Sequence, residues 1–413
     1  MDKNKRLTVW LPVIIAASIA LGIFIGNHYL SISQGKKRSY SSGNKINAIL
    51  DIIDEQYVDT VSMSKLVEST IPKIFSELDP HSVYIPAEDA SVVNEELEGS
   101  FSGIGVSFNM QTDTILVISV ISGGPAEKAG LLPFDRIISI NDSIFSGKKK
   151  NQGEIMKTLR GAKNSTVKLG VQRGNSPELL YFDVTRGDVP VNSVDVSFEA
   201  AKGIGYIKVS KFARNTYNEF ITAIAKLKQA GCTSFVIDLR GNTGGYMDAA
   251  INMINEFMPE GRLIVYTEGK SFPRSDVYAN GTGTCKDAPI VVLTDEISAS
   301  ASEIFSGAIQ DNDRGTIIGR RTYGKGLVQT QMSLSDGSEM RLTIARYYTP
   351  SGRCIQKKYE MGNTDAYDQD IYNRYMHGEF DSADSIKMDD SLKYQTVGGR
   401  TVYGGGGIMP DIF

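Results

Sequence analysis

The sequence predicts an α/β protein that carries a β-rich insert and a helical N-terminal region. Three observations carry that reading. Two continuous apolar runs, residues 233–239 (TSFVIDL) and 288–294 (APIVVLT), have the composition of strands buried on both faces of a sheet, and each leads through glycine or serine into helical periodicity. Five shorter runs rich in β-formers (104–108, 115–121, 136–140, 167–172 and 179–184) alternate with glycines. Ahead of them, Ile46, Ile49, Leu50 and Ile53, then Val67, Ile71, Ile74, Phe75 and Leu78, recur at helical spacing, and Pro72 is expected to interrupt the second set, giving two or three short helices.

At 413 residues the chain has room for two to four domains. Its 41% hydrophobic and 22% charged residues exclude global disorder, collagen and coiled coil. A net charge of −4 gives no electrostatic reason to expect nucleic acid as a partner. The histidines (His28, His81, His377) and cysteines (Cys232, Cys285, Cys354) lie far apart and at no metal-ligand spacing, so zinc is not expected. An odd cysteine count gives no disulfide framework, and a single Cys232–Cys285 bridge is left open.

Taken in order, residues 7–26 carry no formal charge, and a helix of that length spans about 30 Å of hydrocarbon. Lys3, Lys5 and Arg6 precede this stretch, which exceeds the core of a signal peptide and lacks an A-x-A cleavage site. The expectation is an uncleaved membrane anchor over residues 1–30, with a cleaved signal or a buried helix as the alternatives. Lys36, Lys37 and Arg38 on the far side leave its orientation weakly set. Residues 31–44 read as a flexible tether and residues 45–98 as the helical region.

Residues 99–187 form the β-rich domain. Its Ser122-Gly-Gly-Pro-Ala-Glu-Lys-Ala-Gly130, followed by the Asp135-Arg-Ile137 strand, resembles the PDZ pattern. Ser102-Gly-Ile-Gly-Val-Ser-Phe108 looks like the PDZ carboxylate loop, in which Gly103, Ile104, Gly105 and Val106 would turn backbone N–H groups towards a peptide's C-terminus. A glycine-rich hairpin without a ligand is the alternative. Arg160, in Leu-Arg-Gly161, reads first as an exposed turn arginine and second as a link between this domain and the core. Residues 188–358 form the catalytic-looking core, closed by a hairpin around Ser335-Asp-Gly-Ser338. Residues 359–413 are too polar and glycine-rich for a core of their own and are expected to pack on the preceding domain.

The chemistry-bearing residues lie in that core. Ser298-Ala-Ser-Ala-Ser-Glu303 sits at a strand-to-helix junction, where unpaired N–H groups and the helix dipole stabilise an oxyanion. Ser300-x-x-Glu303 is equally a capping box, and on this stretch alone the cap is the better reading. A serine nucleophile needs a base, and no histidine accompanies the serines in the core. A lysine serves if burial lowers its pKa from about 10.4 towards 7 or 8, which costs about 3 to 5 kcal/mol. Lys325, between Gly324 and Gly326 and followed by six uncharged residues, meets that condition, although alone it also reads as a solvated turn lysine.

Asp238-Leu-Arg-Gly-Asn-Thr-Gly-Gly245, Ser298-Ala-Ser-Ala-Ser-Glu303 and Tyr323-Gly-Lys-Gly-Leu-Val-Gln329, with the PDZ-like insert ahead of them, resemble the carboxyl-terminal processing (tail-specific) serine peptidases. Leu78-Asp-Pro-His-Ser82 and Gly406-Gly-Ile-Met-Pro-Asp411 extend the resemblance over residues 45–411. It implies Ser300 as nucleophile, Lys325 as general base and Gln329 as the residue that orients the lysine. A straight strand would part residues 325 and 329 by about 13 Å, so the chain must bend near Gly326. The implied oxyanion hole uses backbone N–H groups of Gly244 or Gly245 and of Ala301. Thr243 departs from the proline common at its position, which puts that loop's shape in doubt.

The resemblance further implies a crotonase-like (ββα superhelix) α/β core, a bacterial source, and no metal or organic cofactor. With the anchor, it implies an inner-membrane-anchored enzyme of the cell envelope with its catalytic body in the periplasm. The function expected is a Ser-Lys endopeptidase that cuts proteins near their C-termini, with the PDZ domain recognising a free, apolar tail and gating activity. The alternative is a non-catalytic PDZ adaptor on a degenerate protease fold. A trypsin-like PDZ protease is the weakest reading, for want of a placed histidine. Substrate, homo-oligomeric state and whether the chain is complete at Phe413 are left open by the sequence.

Overall fold

The computed structural model describes residues 16–23, 42–111, 114–145 and 152–413. The chain divides into two compact units, residues 1–70 and 71–413. The first holds a helix over residues 16–23, helix α1 (Ser42–Gln56) and the start of helix α2 (Met63–Ser76). Pro72 does not interrupt this periodic segment as expected but lies inside α2. Proline there removes one backbone donor from the helical ladder, and the remaining bonds carry the helix through.

The expected membrane anchor over residues 7–26, and the inner-membrane placement drawn from it, are corrected. Among the described residues no helix is long and apolar enough to cross a membrane. Of this stretch residues 16–23 are described and helical, and the rest lies outside the described residues.

The second unit opens with strand β1 (Val83–Ile85) and helix α3 (Ala87–Glu98). The β-rich segment follows: β2 (Ser100–Gly103), β3 (Val106–Gln111), β4 (Thr114–Val120), α4 (Pro125–Ala129), β5 (Arg136–Ile140), β6 (Ser143–Ile144), α5 (Gln152–Leu159), β7 (Thr166–Gln172), β8 (Leu180–Thr185) and β9 (Gly187–Pro190). Its sheet runs β3-β4-β5-β7-β8, with β6 on β5, and is antiparallel throughout. The period-2 alternation explains its core: Val167, Leu169 and Val171 of β7 are wholly buried and point with Val117, Ile137 and Val184 into one cluster. Strand β3 is an edge of this sheet, and the β2–β9 ribbon closes the segment.

Strands β10 (Val194–Ala201) and β11 (Ile204–Val209), helix α6 (Thr216–Gln229), β12 (Ser234–Asp238) and helix α7 (Met247–Asn255) begin the core. β13 (Leu263–Glu268), β14 (Ser275–Tyr278), β15 (Ile290–Thr294), helix α8 (Ala301–Asp311), β16 (Thr316–Gly319), β17 (Leu327–Ser333) and β18 (Glu339–Tyr348) complete it. One sheet runs β10-β11-β12-β15-β16, parallel from β11 to β16. A second, wholly antiparallel, runs β1-β18-β13-β14 with β17 on β18. Helix α8 touches strands of both sheets and is buried along its entire length. Its polar residues are satisfied: the Ser306 hydroxyl donates to the Ser302 carbonyl at 2.8 Å, and Asp311 pairs with the wholly buried Arg353 at 2.7 Å.

The crotonase-like ββα superhelix is therefore corrected. Only β10-β11-α6 repeats that unit, because β12 and β15 enter the mixed sheet singly before their helices, while β13–β14 and β17–β18 pair in the separate antiparallel sheet. The molecule combines several antiparallel sheets with one parallel stretch.

After β18 come helices α9 (Thr364–Asp368) and α10 (Asp370–Met376) and the ribbon β19 (Lys393–Gln395) with β20 (Thr401–Tyr403). This segment borrows the core's order: the Asp411 carboxylate accepts the Ile317 N–H at 2.8 Å, and Arg353 donates to the Tyr403 carbonyl at 2.8 Å. Cys232, Cys285 and Cys354 are all free thiols.

Candidate active site

The three serines at the start of α8 divide by what their hydroxyls do. Ser298 and Ser302 are fully buried and donate to the carbonyls of Leu239 and Asn242, at 2.8 and 2.9 Å, which ties this turn to the 238–245 loop. Ser300 alone of the three lines a cleft of about 900 Å³, which it shares with Gly244, Gly245, Lys325, Gln329 and Arg341. Its backbone sits at φ 54°, ψ −111°, a strained conformation for a residue with a side chain. Neighbours over-determine that strain: the Ser300 N–H donates to Glu303 at 2.8 Å, and the Tyr347 hydroxyl lies 3.1 Å from the Ser300 carbonyl.

Glu303 therefore makes its half of the capping box, and more. Wholly buried, it also accepts from the Thr322 hydroxyl at 2.5 Å and from the Gly324 and Lys325 N–H groups at 2.7 and 2.8 Å. One carboxylate thus fixes the backbone on both sides of the cleft. Tyr347, buried as well, reaches the Ser300 and Lys325 carbonyls and donates to one at a time.

Lys325 Nζ lies 3.0 Å from Gln329 Oε1. The bend that this needs comes from Gly326, packed against the Gln356 backbone where a Cβ would lie 2.8 Å from its nitrogen, and from a register shift between Val328 and Gln329 in the β17–β18 pairing. Burial, then the charge of Arg341, lower the Lys325 pKa from the ordinary lysine value, against the opposing pull of Asp79 and Glu303.

His81 lies far from the serines in sequence, yet the fold brings it to the site through its backbone. The Gln329 amide donates to the His81 carbonyl, so its oxygen is left to face the lysine. The segment around His81 is held by Asp79, which accepts from the His81 and Ser82 N–H groups at 3.0 and 3.1 Å and from the Thr343 hydroxyl of β18 at 2.9 Å. The Asp-Pro-His-Ser motif was the available signal, but a backbone carbonyl leaves no residue-type signature.

The glycines of the 238–245 loop are not equivalent. A Cβ on Gly244 would lie 2.8 Å from both the Ala299 carbonyl and the Ser300 Cβ, so this glycine permits close approach to the Ser300 turn. Its N–H is taken by the Asn242 side chain at 2.8 Å; of the expected oxyanion set Ala301 is wholly buried and outside the cleft lining, while Gly244 and Gly245 both line it. Thr243 lines the cleft beside them.

In the β-rich segment, a second, smaller groove lies between edge strand β3 and helix α5, lined by Ile104, Gly105, Val106, Phe108, Met156 and Leu159. Of the expected loop residues, Gly103 is not part of that lining; it sits where a Cβ would press the Phe101 ring at 2.9 Å. Arg160, at the rim, is no free turn arginine: it pairs with Glu95 of α3 at 3.2 Å and lies over the Phe101 ring at 4.5 Å. The far end of α3 is tied to the core by Glu98, which pairs with Arg214 at 2.7 Å.

A family model described as peptidase family S41 matches residues 203–365, and a PDZ domain model matches residues 102–195. The chain is 35% identical over 318 residues to the carboxy-terminal processing protease CtpB of Bacillus subtilis (strain 168), covering 76% of this chain and 66% of that one. It is 33% identical over 365 residues to a "Probable CtpA-like serine protease" of Staphylococcus aureus (strain N315), covering 86% and 72%. Among solved structures, the photosystem II D1 C-terminal processing protease is 28% identical and covers 77% of this chain and 91% of that one, at a TM-score of 0.43.

Proposed function

We propose, from the premise that the chain belongs to peptidase family S41 as a serine endopeptidase of the carboxy-terminal processing type, that Ser300 and Lys325 carry out the cleavage and Gln329 orients the lysine. The observation that carries this assignment is the Lys325–Gln329 contact of 3.0 Å in the cleft that Ser300 lines. The Gln329 oxygen occupies one donor of the Lys325 amine, and burial favours the neutral form, whose lone pair is then available to the serine.

In the reaction, Lys325 Nζ takes the Ser300 Oγ proton as Oγ bonds to the substrate carbonyl carbon. The oxyanion points to the N–H group of Gly245. The C–N bond breaks as Lys325 returns the proton to the leaving amine, which leaves an ester on Ser300. Lys325 then takes a proton from water as the water oxygen bonds to the ester carbon, and the acyl C–O bond breaks as Lys325 returns that proton to Ser300 Oγ, which releases the carboxylic acid. The PDZ domain is implicated in substrate recognition, and its apolar groove beside β3, which ends its sheet among the described residues, suits an extended, apolar C-terminal tail added as a further strand.

The test is proteolysis of an unfolded protein with an apolar tail by wild type, Ser300→Ala and Lys325→Ala. Loss of cleavage in both folded variants is expected. Equal inertness of all three, with tail binding retained, would replace the enzyme reading by that of an adaptor. Cleavage is also expected to fall when the tail is C-terminally amidated.

A further inference from the structure

The surroundings of Lys325 form a closed circuit of hydrogen bonds. Lys325 Nζ reaches Gln329 Oε1 at 3.0 Å, and the Gln329 amide donates to the His81 carbonyl. His81 Nε2 lies 2.8 Å from the Tyr367 hydroxyl, and Gln356 Nε2 donates to that same hydroxyl at 3.3 Å. Gln356 Oε1 then accepts the Gly326 N–H at 2.8 Å, one residue from the starting lysine. We propose that His81, Gln356 and Tyr367 act as one set of positioning residues that fix the Lys325–Gln329 pair. The proposal rests on the reading of Lys325 as the base.

The partners of Gln356 fix the orientation of its amide. Gln356 gives its amide hydrogens to the Lys357 carbonyl, at 2.9 Å, and to Tyr367, while its oxygen takes the Gly326 N–H. Turning this amide over would set N–H against N–H and oxygen against oxygen. Gln356 donates to the phenol oxygen, and in the proposed circuit the phenol proton goes to a neutral His81 Nε2, with the Tyr323 hydroxyl as the competing acceptor. Burial holds His81 down to about 4, consistent with a neutral ring. Gln329 is fixed in the same way, since a turned amide would face the lysine with donors.

Tyr367 is itself immobilised. It is 3% exposed, meets the His81 ring edge-on at 5.2 Å, and has the Lys357 ammonium 4.0 Å from its own ring. That ammonium also donates to the Tyr367 carbonyl at 3.1 Å and pairs with Asp370 at 3.1 Å. Helix α9 after the core, the 78–82 segment before it and the loop at 356 thus converge on one lysine. Removal of a single hydroxyl from this circuit loosens the base without emptying the core.

The experiment uses the full chain and compares wild type with Tyr367→Phe, and with Tyr359→Phe as a control whose ring is near but whose hydroxyl lies outside the circuit. Tyr367→Phe is expected to lower kcat on a tail peptide about tenfold, the worth of one hydrogen bond, with KM within about twofold. Labelling of Ser300 by a fluorophosphonate should slow in the same ratio. The ¹⁵N resonances of His81 should change and its titration move up, with Asp79, Lys325, Lys357 and Tyr367 the ionisable groups facing it.

Unchanged kcat and labelling alongside an altered His81 signal would overturn the proposal, as would a loss tracked equally by KM and thermal stability. If Tyr367→Phe does not fold, Gln356→Glu decides: it keeps the acceptor for Gly326 but draws the phenol proton away from His81, and wild-type kcat in it defeats the idea. Failure of the base assignment is distinct. It shows as Lys325→Ala labelling as fast as wild type, and this proposal falls with it.

Discussion

The Glu303 carboxylate accepts the Ser300 N–H with one oxygen, and that same oxygen accepts the Lys325 N–H, both at 2.8 Å. The other oxygen takes the Thr322 hydroxyl and the Gly324 N–H. The two strands of chain that supply the proposed nucleophile and base are thus registered by one buried group, and neither can shift without leaving a buried N–H unpaired.

Glu303→Gln tests this directly. A glutamine has one oxygen, so whichever way it lies, its amide hydrogens confront two of the four donors. Two buried donors left without acceptors cost about 2 to 6 kcal/mol. Thermal unfolding should show a lower midpoint and peptide cleavage should be nearly abolished. A variant with wild-type midpoint and activity would remove Glu303 from this role.

Asp238 makes the fold acid-sensitive in a defined window. Burial alone would raise its pKa, but hydrogen bonds from the Arg240 side chain, Tyr206 and the Arg240 N–H, with the charge of Lys208, outweigh that and hold it at about 2. The folded value lies below the unfolded one, so the stabilisation is complete above about pH 4 and is lost as pH falls through about 2. It amounts to about 2 kcal/mol. Asp238→Asn is expected to unfold about 4 to 8 °C below wild type at pH 7. The gap should close as pH is lowered from 5 to 2; a gap independent of pH would mean that another group carries the acid sensitivity.

Legibility in the sequence followed the range of the interactions. Alternation within β7 and the apolar runs of β12 and β15 are local, and they read correctly. Ser300, Lys325 and Gln329 could be proposed from the sequence because a motif encodes side-chain chemistry. His81 could not, since it acts through a carbonyl, and Tyr367 could not, since it meets His81 across 286 positions of sequence. The layer arrangement was misjudged for a related reason: whether β13, with β14 on it, joins the first sheet or pairs with β18 is decided by partners far away, as in the Tyr266–Tyr348 register. Pro72 shows the opposite error, a local rule overridden by the helix around it.

Gly244→Ala and Gly245→Ala should differ in how much of their effect falls on folding. Gly245, at φ 140°, would place a Cβ 2.1 Å from the Phe212 carbonyl, in the middle of the bridge where the Tyr246 N–H donates to that carbonyl at 2.7 Å. Gly245→Ala is expected to lose about 1 to 3 kcal/mol of stability. Gly244, at φ 106°, would press its Cβ on the Ser300 Cβ and the Ala299 carbonyl at 2.8 Å. Gly244→Ala should therefore lower kcat more than it lowers the unfolding midpoint. The reverse order of effects in the two variants would contradict this division.

Arg341 should set where activity falls on the acid side. It lines the cleft with Lys325, its Nε donates to Gln331 at 3.0 Å, and its Nη2 is buried without a hydrogen-bond partner among the described residues. The register explains its position: Arg341 faces Gln331 and Thr343 faces Gln329 across β17–β18, so Arg341 and Thr343 share the strand face that carries the Lys325 partner. After burial, its charge is the next cause of the lowered Lys325 pKa. A base must be neutral to act, so kcat/KM should rise with pH through the Lys325 pKa. Removing the cation in Arg341→Met raises that pKa, and the acid limb should move to higher pH, with activity depressed near neutrality and recovered in alkali. Arg341→Lys keeps the charge and should leave the limb near its wild-type position. A limb unmoved in Arg341→Met would show that burial alone tunes the lysine.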